Sequence, residues 1–447
     1  MQVALSIAGS DSGGGAGLQA DLKTFAALGV YGACVITSVT AQNTVEVAGI
    51  HDLPPEFVVL QLDTVLRDLP IAAIKTGMLS NAGIIRAVSQ RLQSCGIEKL
   101  VVDPVMVAKG GASLLQKEAE AELVQRLLPL AYVVTPNLGE AEVLTGMAIH
   151  TLPEMEEAAR RIHAMGPRYV VVKGGHLEGP PIDVIFDGRA CIHLEGERIE
   201  TKSLHGTGCT FASAIAAELA RGVEMPEAVR HAKTFIAAAI RLAEPIGHGY
   251  GPTHHLGLLY NQAARYDMLL QLEQAVAELR TGGLAALIPE VQSNLGMALP
   301  GATTPQEVAA WEGRLVRLGE ELHAVGSPRF GASRHIARVI LTAMRFDPRY
   351  RSAMNLRYGE DVLRACESAH MQIARFTPPE QPPAGQGEEG STLAWGVAEA
   401  IQASGTVPDV VYDRGGMGKE AMVRVLGHDP LDVARKVLAI RRQLPRT

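Results

Sequence analysis

Short apolar runs rich in β-branched residues alternate with longer amphipathic segments over the first 255 residues of the chain. The short runs predict β-strands at residues 3–7, 33–38, 100–103, 131–135 and 169–173. Between them, apolar residues at helical spacing predict helices at residues 18–28, 55–68, 81–95, 116–128, 138–145 and 152–165. This alternation predicts an α/β fold in which helices cover a mostly parallel sheet.

The alternating pattern ends well before the end of the chain. After the last of these strands, two β-branched runs flank an Asp-Gly dipeptide and predict an antiparallel hairpin, at residues 182–186 and 189–194. The glycine-rich segment 247–252 then breaks the pattern, and a basic helical stretch at 334–345 follows later. We therefore predict a boundary near residue 260, between a domain at residues 1–258 and a mixed α/β domain at residues 265–447.

Composition narrows the class of protein. A chain of 447 residues exceeds one ordinary core, and its net charge of −7 gives no support for nucleic-acid binding. Its five cysteines are scattered, which argues against a disulfide framework or a zinc site and favours a reducing cytosol. No signal peptide or membrane-spanning run is apparent. We expect a cytoplasmic homo-oligomer that acts on small molecules, with no nucleic-acid or membrane partner.

The segment 204–210, Leu-His-Gly-Thr-Gly-Cys-Thr, has the strongest chemical signal. An apolar, alanine-rich run follows it, so the pattern predicts a tight loop that opens a helix. Such a loop directs backbone N–H groups and the positive end of the helix dipole at one point, which favours a phosphate. Cys209 closes the loop, and we expect its pKa to be lowered there, as is typical of a helix N-terminus. The alternative is a plain turn.

Further polar segments follow other predicted strands. In an open parallel sheet, ligands bind beyond the carboxyl ends of the strands, so these segments are expected to meet at one edge. Each segment alone could be an ordinary turn or helix cap, and their joint placement favours a site. They comprise the glycine-rich loop 9–17 with Asp21 after it, Gln42 and Asn43, and the segments 75–78, 103–111 and 137–140.

These motifs resemble the ribokinase superfamily, and most closely its hydroxymethylpyrimidine/phosphomethylpyrimidine kinases. The similar runs include AGSDSGGGAGLQADLKTFAALGVYG, TAQNT, IKTGML, VVDPVMVAKGGASLL, TPNLGEAEVLTG, VVKGGH and HGTGCTFASAIAAELARG, between residues 8 and 222. The resemblance implies transfer of the γ-phosphoryl group of ATP, with Mg²⁺, to the hydroxymethyl group of the pyrimidine and then to its monophosphate. Pyridoxal kinase is the close competitor, since Cys209 favours the pyrimidine/pyridoxal branch over sugar kinases with Asp there.

The resemblance also implies roles for individual residues. The anion hole and its base would be Gly206, Thr207, Gly208 and Cys209. Mg²⁺ would be organised through water by Asn137 and Glu140, whose oxygens suit that ion. The nucleotide phosphates would be contacted by Lys173 and Thr207. The pyrimidine would be bound by Asp21 and Gln42 and flanked by Met78 and Val105, although the last two are equally compatible with ordinary core.

A second group of polar residues lies in the C-terminal region. Ser333 is a predicted N-cap, and Arg338 follows His335 by three residues, which makes them neighbours on one helix. Asn355 and Arg357 come next, and a glycine-rich loop at 412–420 contains Asp413 and Lys419. Two anion-friendly loops with arginines indicate a phosphate or diphosphate ligand. A solvated basic helix and an ordinary turn would explain the same residues.

This region resembles the archaeal-type thiamine phosphate synthase domain. The similar runs are LIPEVQSNLGMALPGA, FGASRHIARVILTAMRFDP, RSAMNLRYGED, STLAWG and DVVYDRGGMGKEAMVRVLGHDP. The resemblance implies coupling of hydroxymethylpyrimidine diphosphate to thiazole phosphate, with release of diphosphate. The phosphate groups would be bound by Arg338, Arg357 and Lys419. Other substrate contacts would be made by Ser333, His335, Asn355 and Asp413. A non-catalytic ligand sensor is the alternative, but no helix-turn-helix accompanies the domain and an enzyme is favoured.

Overall fold

The computed structural model describes residues 1–107, 114–175, 177, 179–377, 391–416 and 420–445. The chain divides into two compact units, Met1–Leu259 and Tyr260–Thr447. Among the described residues, no helix combines the length and apolar character needed to cross a bilayer.

The N-terminal unit contains one nine-stranded sheet. Its strands are β1 (Val3–Asp11), β2 (Tyr31–Gln42), β3 (Val47–Asp52), β4 (Ile71–Thr76), β5 (Leu100–Val102), β6 (Val133–Val134), β7 (Tyr169–Val172), β8 (Ile182–Phe186) and β9 (Cys191–Glu195). They lie in the order β3-β2-β1-β4-β5-β6-β7-β8-β9. Six consecutive strands of this order, β2-β1-β4-β5-β6-β7, are parallel to one another. The strand β3 is antiparallel to β2, and β7, β8 and β9 pair with antiparallel neighbours in turn. The predicted mostly parallel sheet and the hairpin are confirmed.

Helices pack on both faces of this sheet. They are α1 (Gly17–Ala27), α2 (Pro55–Asp68), α3 (Ala82–Gln93), α4 (Lys117–Glu122), α5 (Leu138–Thr145), α6 (Leu152–His163), α7 (Thr207–Ala220) and α8 (Glu227–Arg241). One core lies under α2, α3, α5 and α6, and a second under α1, α7 and α8. The small side chains of α7 let it approach the sheet closely, and from Thr210 onward every residue of that helix is buried.

Two strands and one helix differ from the sequence pattern. The strand β3, a largely exposed edge strand, was not predicted. The segment 75–78 was placed at the end of a strand, but the bounds of that strand, β4, were not predicted, since it has two alanines, which are weak strand formers. The predicted helix at 116–128 is shortened to α4. A π-helical turn (Leu123–Leu127) and a 3₁₀ turn (Leu128–Leu130) follow it, and the second contains Pro129, which has no N–H to continue a helix.

The C-terminal unit is a mixed α/β fold. Its strands are β10 (Leu295–Ala298), β11 (Val308–Trp311), β12 (Leu315–Leu318), β13 (Glu321–Ala324), β14 (Pro328–Phe330), β15 (Ser352–Arg357), β16 (Ile373–Arg375), β17 (Val410–Asp413) and β18 (Met422–Gly427). Seven of them form a sheet in the order β14-β11-β10-β15-β18-β17-β16, in which only β16 and β17 pair in parallel, while β12 and β13 form a separate hairpin. The helices are α9 (Gly257–Arg280, which contains the division between the units), α10 (Arg334–Met344), α11 (Glu360–Ser368), α12 (Ser391–Ser404) and α13 (Pro430–Gln443).

Candidate active sites

The Gly-Thr-Gly-Cys segment forms the N-terminus of α7, as its sequence predicts. Gly206 is the N-cap and has a φ of +80°, in the left-handed region that favours glycine. A Cβ atom at this position would lie 1.9 Å from the carbonyl oxygen of Gly15, so the close approach of two loops also requires glycine. Thr207, Gly208 and Cys209 form the first turn, whose N–H groups have no carbonyl partner within the helix. The geometry suits an anion.

Cys209 does not have the lowered pKa that its helical position suggested. Burial raises the pKa of the thiol to about 11; Lys75 opposes this shift, and the carboxylates of Asp21 and Asp103 add to it. The N–H of Gly17 also donates to the thiol sulfur and favours the thiolate. The expectation was therefore wrong, because desolvation and two nearby carboxylates outweigh the helix N-terminus.

Asp21, expected to bind the pyrimidine, is fully buried behind α7 and has no free oxygen facing a ligand. Its carboxylate accepts hydrogen bonds from Ser6 Oγ at 2.5 Å and Ser213 Oγ at 2.6 Å. Lys75 Nζ lies 2.8 and 3.0 Å from its two oxygens. These contacts engage both carboxylate oxygens, which assigns Asp21 to an internal ion pair and corrects the prediction.

Lys173 lies beside the first turn of α7, together with an aspartate that the sequence reasoning did not single out. Lys173 Nζ is 3.2 Å from Asp103 Oδ1. A Cβ atom on Gly208 would be 3.4 Å from Lys173 Nζ and 3.7 Å from Asp103 Oδ2. Burial disfavours the lysine's charge, but Asp103 and Glu140 raise its pKa, so Lys173 stays cationic. Asp103 directly follows the buried strand β5, and this position in the sequence could have identified it as a candidate site residue.

Asn137 and Glu140 form a capping box at the start of α5. The N–H of Glu140 donates to Asn137 Oδ1 at 2.9 Å, and the N–H of Asn137 donates to Glu140 Oε2 at 2.8 Å. Burial raises the pKa of Glu140 to about 7; Lys173 opposes the shift and Asp103 adds to it. No group of three or more metal-ligating side chains occurs among the residues described by the structure. A hydrated divalent cation fits this site, because it would reduce the repulsion between the carboxylates of Glu140 and Asp103 and would complete its coordination shell with water.

A histidine joins the glycine-rich loop to Gln42. His205 Nε2 is 2.9 Å from Asp11 Oδ2 and 3.3 Å from Gln42 Nε2. The Asp11 carboxylate also accepts the N–H groups of Gly13, Gly15 and Ala16, and so holds the loop in place. Sequence reasoning singled out neither Asp11 nor His205 individually, although both lie within motifs that it identified.

Met78 and Val105 follow the adjacent strands β4 and β5, at the same edge of the sheet as the α7 loop. Met78 is buried against Gly9, where an added Cβ would be 3.1 Å from the methionine sulfur. Val105 is partly exposed. Apolar side chains therefore occur at this edge, with Val105 the more accessible of the two.

In the C-terminal unit, the charged residues gather around the start of α10. Ser333 is its N-cap and accepts the N–H of Ile336 at 3.4 Å, which confirms the predicted cap. Partial desolvation of the His335 imidazole, followed by the charges of Arg424, Arg314 and Arg338, lowers its pKa to about 4, and Asp413 opposes this shift.

Arg424 is a residue that the sequence reasoning missed. Its Nη1 donates to Asp413 Oδ2 at 2.7 Å, and both side chains are about 95% buried. Within the described part of the chain, Arg424 Nε has no hydrogen-bond partner. Asp413 also accepts the N–H of Gly415 at 2.8 Å. Asp413 therefore holds Arg424 in place, and its contact with a substrate stays a prediction.

Two other predicted substrate contacts are engaged elsewhere. Asn355 is buried; its side chain accepts the N–H of Asn294 at 2.8 Å and donates to the carbonyl of Gln292 at 3.0 Å. Arg357 donates from Nε to the Ala286 carbonyl and pairs through both terminal nitrogens with Asp361. Both side chains therefore have partners within the protein, and their contacts with a substrate stay predictions. Lys419 lies outside the described residues.

Arg338 differs from Asn355 and Arg357, because no contact among the described residues engages its guanidinium.

The fold and the α7 loop together define the class of the N-terminal unit: a ribokinase-like kinase of small molecules. Residues 11–254 match the family model of phosphomethylpyrimidine kinase. The chain belongs to that family. Residues 271–439 match a second model, described as thiamine-phosphate synthase ThiN, so the chain combines a kinase domain with a synthase domain.

Similar proteins include a thiamine biosynthesis bifunctional protein of Geobacter sulfurreducens, 55% identical over 56% of this chain and 52% of that protein. The match thus spans about half of that relative. The hydroxymethylpyrimidine/phosphomethylpyrimidine kinase of Rhizobium meliloti is 53% identical over 57% of this chain and 96% of its own length. A solved structure, an ADP complex of Bacillus subtilis pyridoxal kinase, has a TM-score of 0.54 and 41% identity, and covers 58% of this chain and 99% of that one.

Proposed function

We propose that this chain carries out consecutive steps of thiamine phosphate synthesis. The N-terminal unit would phosphorylate hydroxymethylpyrimidine and then its monophosphate with ATP, and the C-terminal unit would couple the diphosphate to thiazole phosphate. The observation that carries the kinase half is the first turn of α7, where N–H groups without a partner inside the helix lie beside Lys173, which also interacts with Cys209.

The kinase step would need charge stabilisation more than covalent chemistry. The first-turn N–H groups and Lys173 would hold the negative charge of the transferring phosphoryl group. The substrate hydroxyl would give its proton to Cys209 Sγ as its oxygen bonds to phosphorus and the bond to the ADP oxygen breaks. In a loose phosphoryl-transfer transition state this proton leaves late, so a modest base suffices.

Mg²⁺ would be held through water by Asn137 and Glu140, and when bound it would neutralise charge on the ATP phosphates. The donor set supports this assignment, because Glu140 is a buried carboxylate beside a second carboxylate, Asp103. Thr207, at the start of α7, would contact the nucleotide phosphates with Lys173.

Replacing Glu140 with glutamine is expected to raise the Mg²⁺ concentration for half-maximal phosphorylation at least tenfold. The pKa near 7 adds a pH dependence: the wild-type carboxylate becomes protonated as the pH falls below 7, so its requirement for Mg²⁺ should rise about tenfold per pH unit there. Initial rates titrated with Mg²⁺ at pH 6, 7 and 8 measure both effects.

The control for this prediction is Glu154→Gln. Glu154 forms the same kind of capping box with Thr151 at the start of α6, but it is partly exposed, whereas Glu140 is buried. Its replacement removes an equivalent cap and should leave the Mg²⁺ requirement unchanged. Equal Mg²⁺ titrations for wild type and Glu140→Gln would remove Glu140 from the metal site.

The pyrimidine would bind near Gln42 and His205, with Val105 and Met78 beside the ring. An amide can donate to and accept from the nitrogen-rich edge of an aminopyrimidine, and Gln42 is already oriented by His205. A pyridoxal kinase is the second candidate, favoured by the structural similarity to the Bacillus subtilis enzyme. Comparing kcat/KM for hydroxymethylpyrimidine and pyridoxal decides between them.

The synthase half would depend on the positive charges around His335. Departure of diphosphate leaves a stabilised pyrimidine cation, so the reaction needs cations on the leaving group and little base chemistry. Arg338, Arg424 and Arg314 would supply those cations, with Asp413 as an opposing charge. Ser333 and His335 would contact the substrates. A non-catalytic sensor of thiamine phosphate would present the same positive site.

A product assay on the full-length protein tests the whole proposal. The protein is given hydroxymethylpyrimidine, ATP, Mg²⁺ and thiazole phosphate, and the products are separated. Thiamine phosphate supports both halves. Accumulation of only the pyrimidine mono- and diphosphates supports the kinase and makes the C-terminal unit a sensor, while no phosphorylated pyrimidine overturns the kinase assignment.

A further inference from the structure

We propose that Lys75 is a positioning residue of the kinase, whose buried ammonium stabilises the negative charge that Cys209 Sγ must carry when it accepts the substrate proton. This inference rests on the proposed role of Cys209 as the base. It assigns a function to the Asp21–Lys75 ion pair, whose two side chains are completely buried.

The surroundings of Lys75 are built to hold an ammonium group. The side chain is completely buried at the end of β4, and its described hydrogen bonds go only to the two oxygens of Asp21. An ammonium has three N–H donors, so one remains for another acceptor. Gly77 provides the space, since a Cβ atom there would lie 2.7 Å from Lys75 Nζ.

The same ion pair is tied to the catalytic helix. Ser213 lies on α7 four residues after Cys209, and therefore on the same face of that helix. Its hydroxyl donates to Asp21 Oδ1, the oxygen that also accepts from Lys75. Ser6 on β1 donates to the other oxygen. Asp21 thus fixes the ammonium on β4 relative to the first turns of α7.

The charges around Cys209 come from four elements. Asp21 on α1 and Asp103 after β5 disfavour a thiolate, and Lys75 on β4 favours it. Lys173 after β7 also interacts with Cys209. Because burial already raises the pKa of the thiol to about 11, loss of Lys75 would leave Lys173 as the lysine that opposes both carboxylates in the described part of the site.

Stability alone gives a weak reason for such a pair. The desolvation free energy of two charges in a protein interior is about as large as the free energy gained from their attraction. Well-packed apolar residues in the same place often give equal stability. A buried Asp–Lys pair whose charges act on the Cys209 thiol is better explained by its electrostatic effect on that thiol.

The test compares Lys75→Met with Asp21→Asn in the full-length chain. Alkylation of Cys209 by iodoacetamide is followed by mass spectrometry of its peptide between pH 8 and 10, without substrate, and alkylation of Cys95 serves as an internal control. We expect Cys209 to react at least tenfold more slowly in Lys75→Met and faster than wild type in Asp21→Asn. A merely structural pair would change both in the same direction.

Steady-state phosphorylation provides the second readout. In Lys75→Met we expect kcat to fall at least thirtyfold, with KM for the pyrimidine within threefold of wild type and a rate that continues to rise with pH. Changes in Cys209 reactivity and kcat that stay within twofold, or a change in KM alone, overturn the proposal. Thermal unfolding of each full-length variant, followed by circular dichroism, reports whether its N-terminal unit is folded.

A double variant covers the case in which Lys75→Met does not fold. Asp21→Asn/Lys75→Met contains no unpaired charge and differs from Asp21→Asn only at position 75, so its Cys209 should react at least tenfold more slowly than that of Asp21→Asn. Equal rates overturn the proposal. Failure of the proposed function is distinct from this result: it would appear as wild-type protein that does not phosphorylate the pyrimidine, or as Cys209→Ala with full activity.

Discussion

Replacing Cys209 with alanine is expected to reduce kcat for phosphorylation of hydroxymethylpyrimidine about a thousandfold, in the range typical of losing a general base. The variant keeps the first turn of α7 and Gly206, so the anion hole remains and KM for ATP should change little. Coupling of preformed pyrimidine diphosphate to thiazole phosphate should be unaffected, because Cys209 belongs to the N-terminal unit. Separate assays of the two reactions measure this split.

Two further variants sharpen that experiment. Cys191→Ala changes another partly buried cysteine of the same unit, in the hairpin strand β9, and should leave both activities intact. Cys209→Asp introduces the residue that many sugar kinases of the superfamily have there and should restore part of the lost rate. Equal loss of both activities in folded Cys209→Ala would contradict separate sites, and full phosphorylation would remove Cys209 from the reaction.

The second large effect is expected at Arg338. Its guanidinium is unengaged among the described contacts and adjoins His335 on α10. Loss of an arginine that holds a leaving diphosphate should lower kcat/KM for coupling about a hundredfold to a thousandfold. Arg338→Ala should therefore abolish most thiamine phosphate formation from preformed diphosphate, while phosphorylation stays at the wild-type rate. Product quantification in both assays measures the difference.

Arg357→Ala is the matched comparison, because the sequence suggested the same role for both arginines. Arg357 is paired with Asp361, and its Nε donates to the carbonyl of Ala286. Because the pair is partly exposed, its loss should cost about 1 kcal/mol or less of stability, and coupling should fall far less than in Arg338→Ala. A larger loss in Arg357→Ala than in Arg338→Ala would reverse this assignment of the clamp.

The sequence by itself determined the fold class and the local motifs. Strand and helix periodicity predicted the mostly parallel sheet, and an Asp-Gly turn predicted the β8–β9 hairpin. The helix starts at Ser333 and at Thr207 were also recognisable, because a cap involves residues only a few positions apart. Such features are decided by neighbours in the chain and are therefore visible without the tertiary structure.

Only the tertiary structure decided which polar residues are free to bind a ligand. Asp21 meets Lys75 and Ser213 across 54 and 192 positions of the chain. Asn355 and Asp413 are likewise engaged by residues on other segments. The pKa of Cys209 depends on the burial of the thiol and on charges that four other segments of the chain bring to it, and these outweigh the helix N-terminus. Partners and desolvation are set by packing between distant segments, which no local pattern contains.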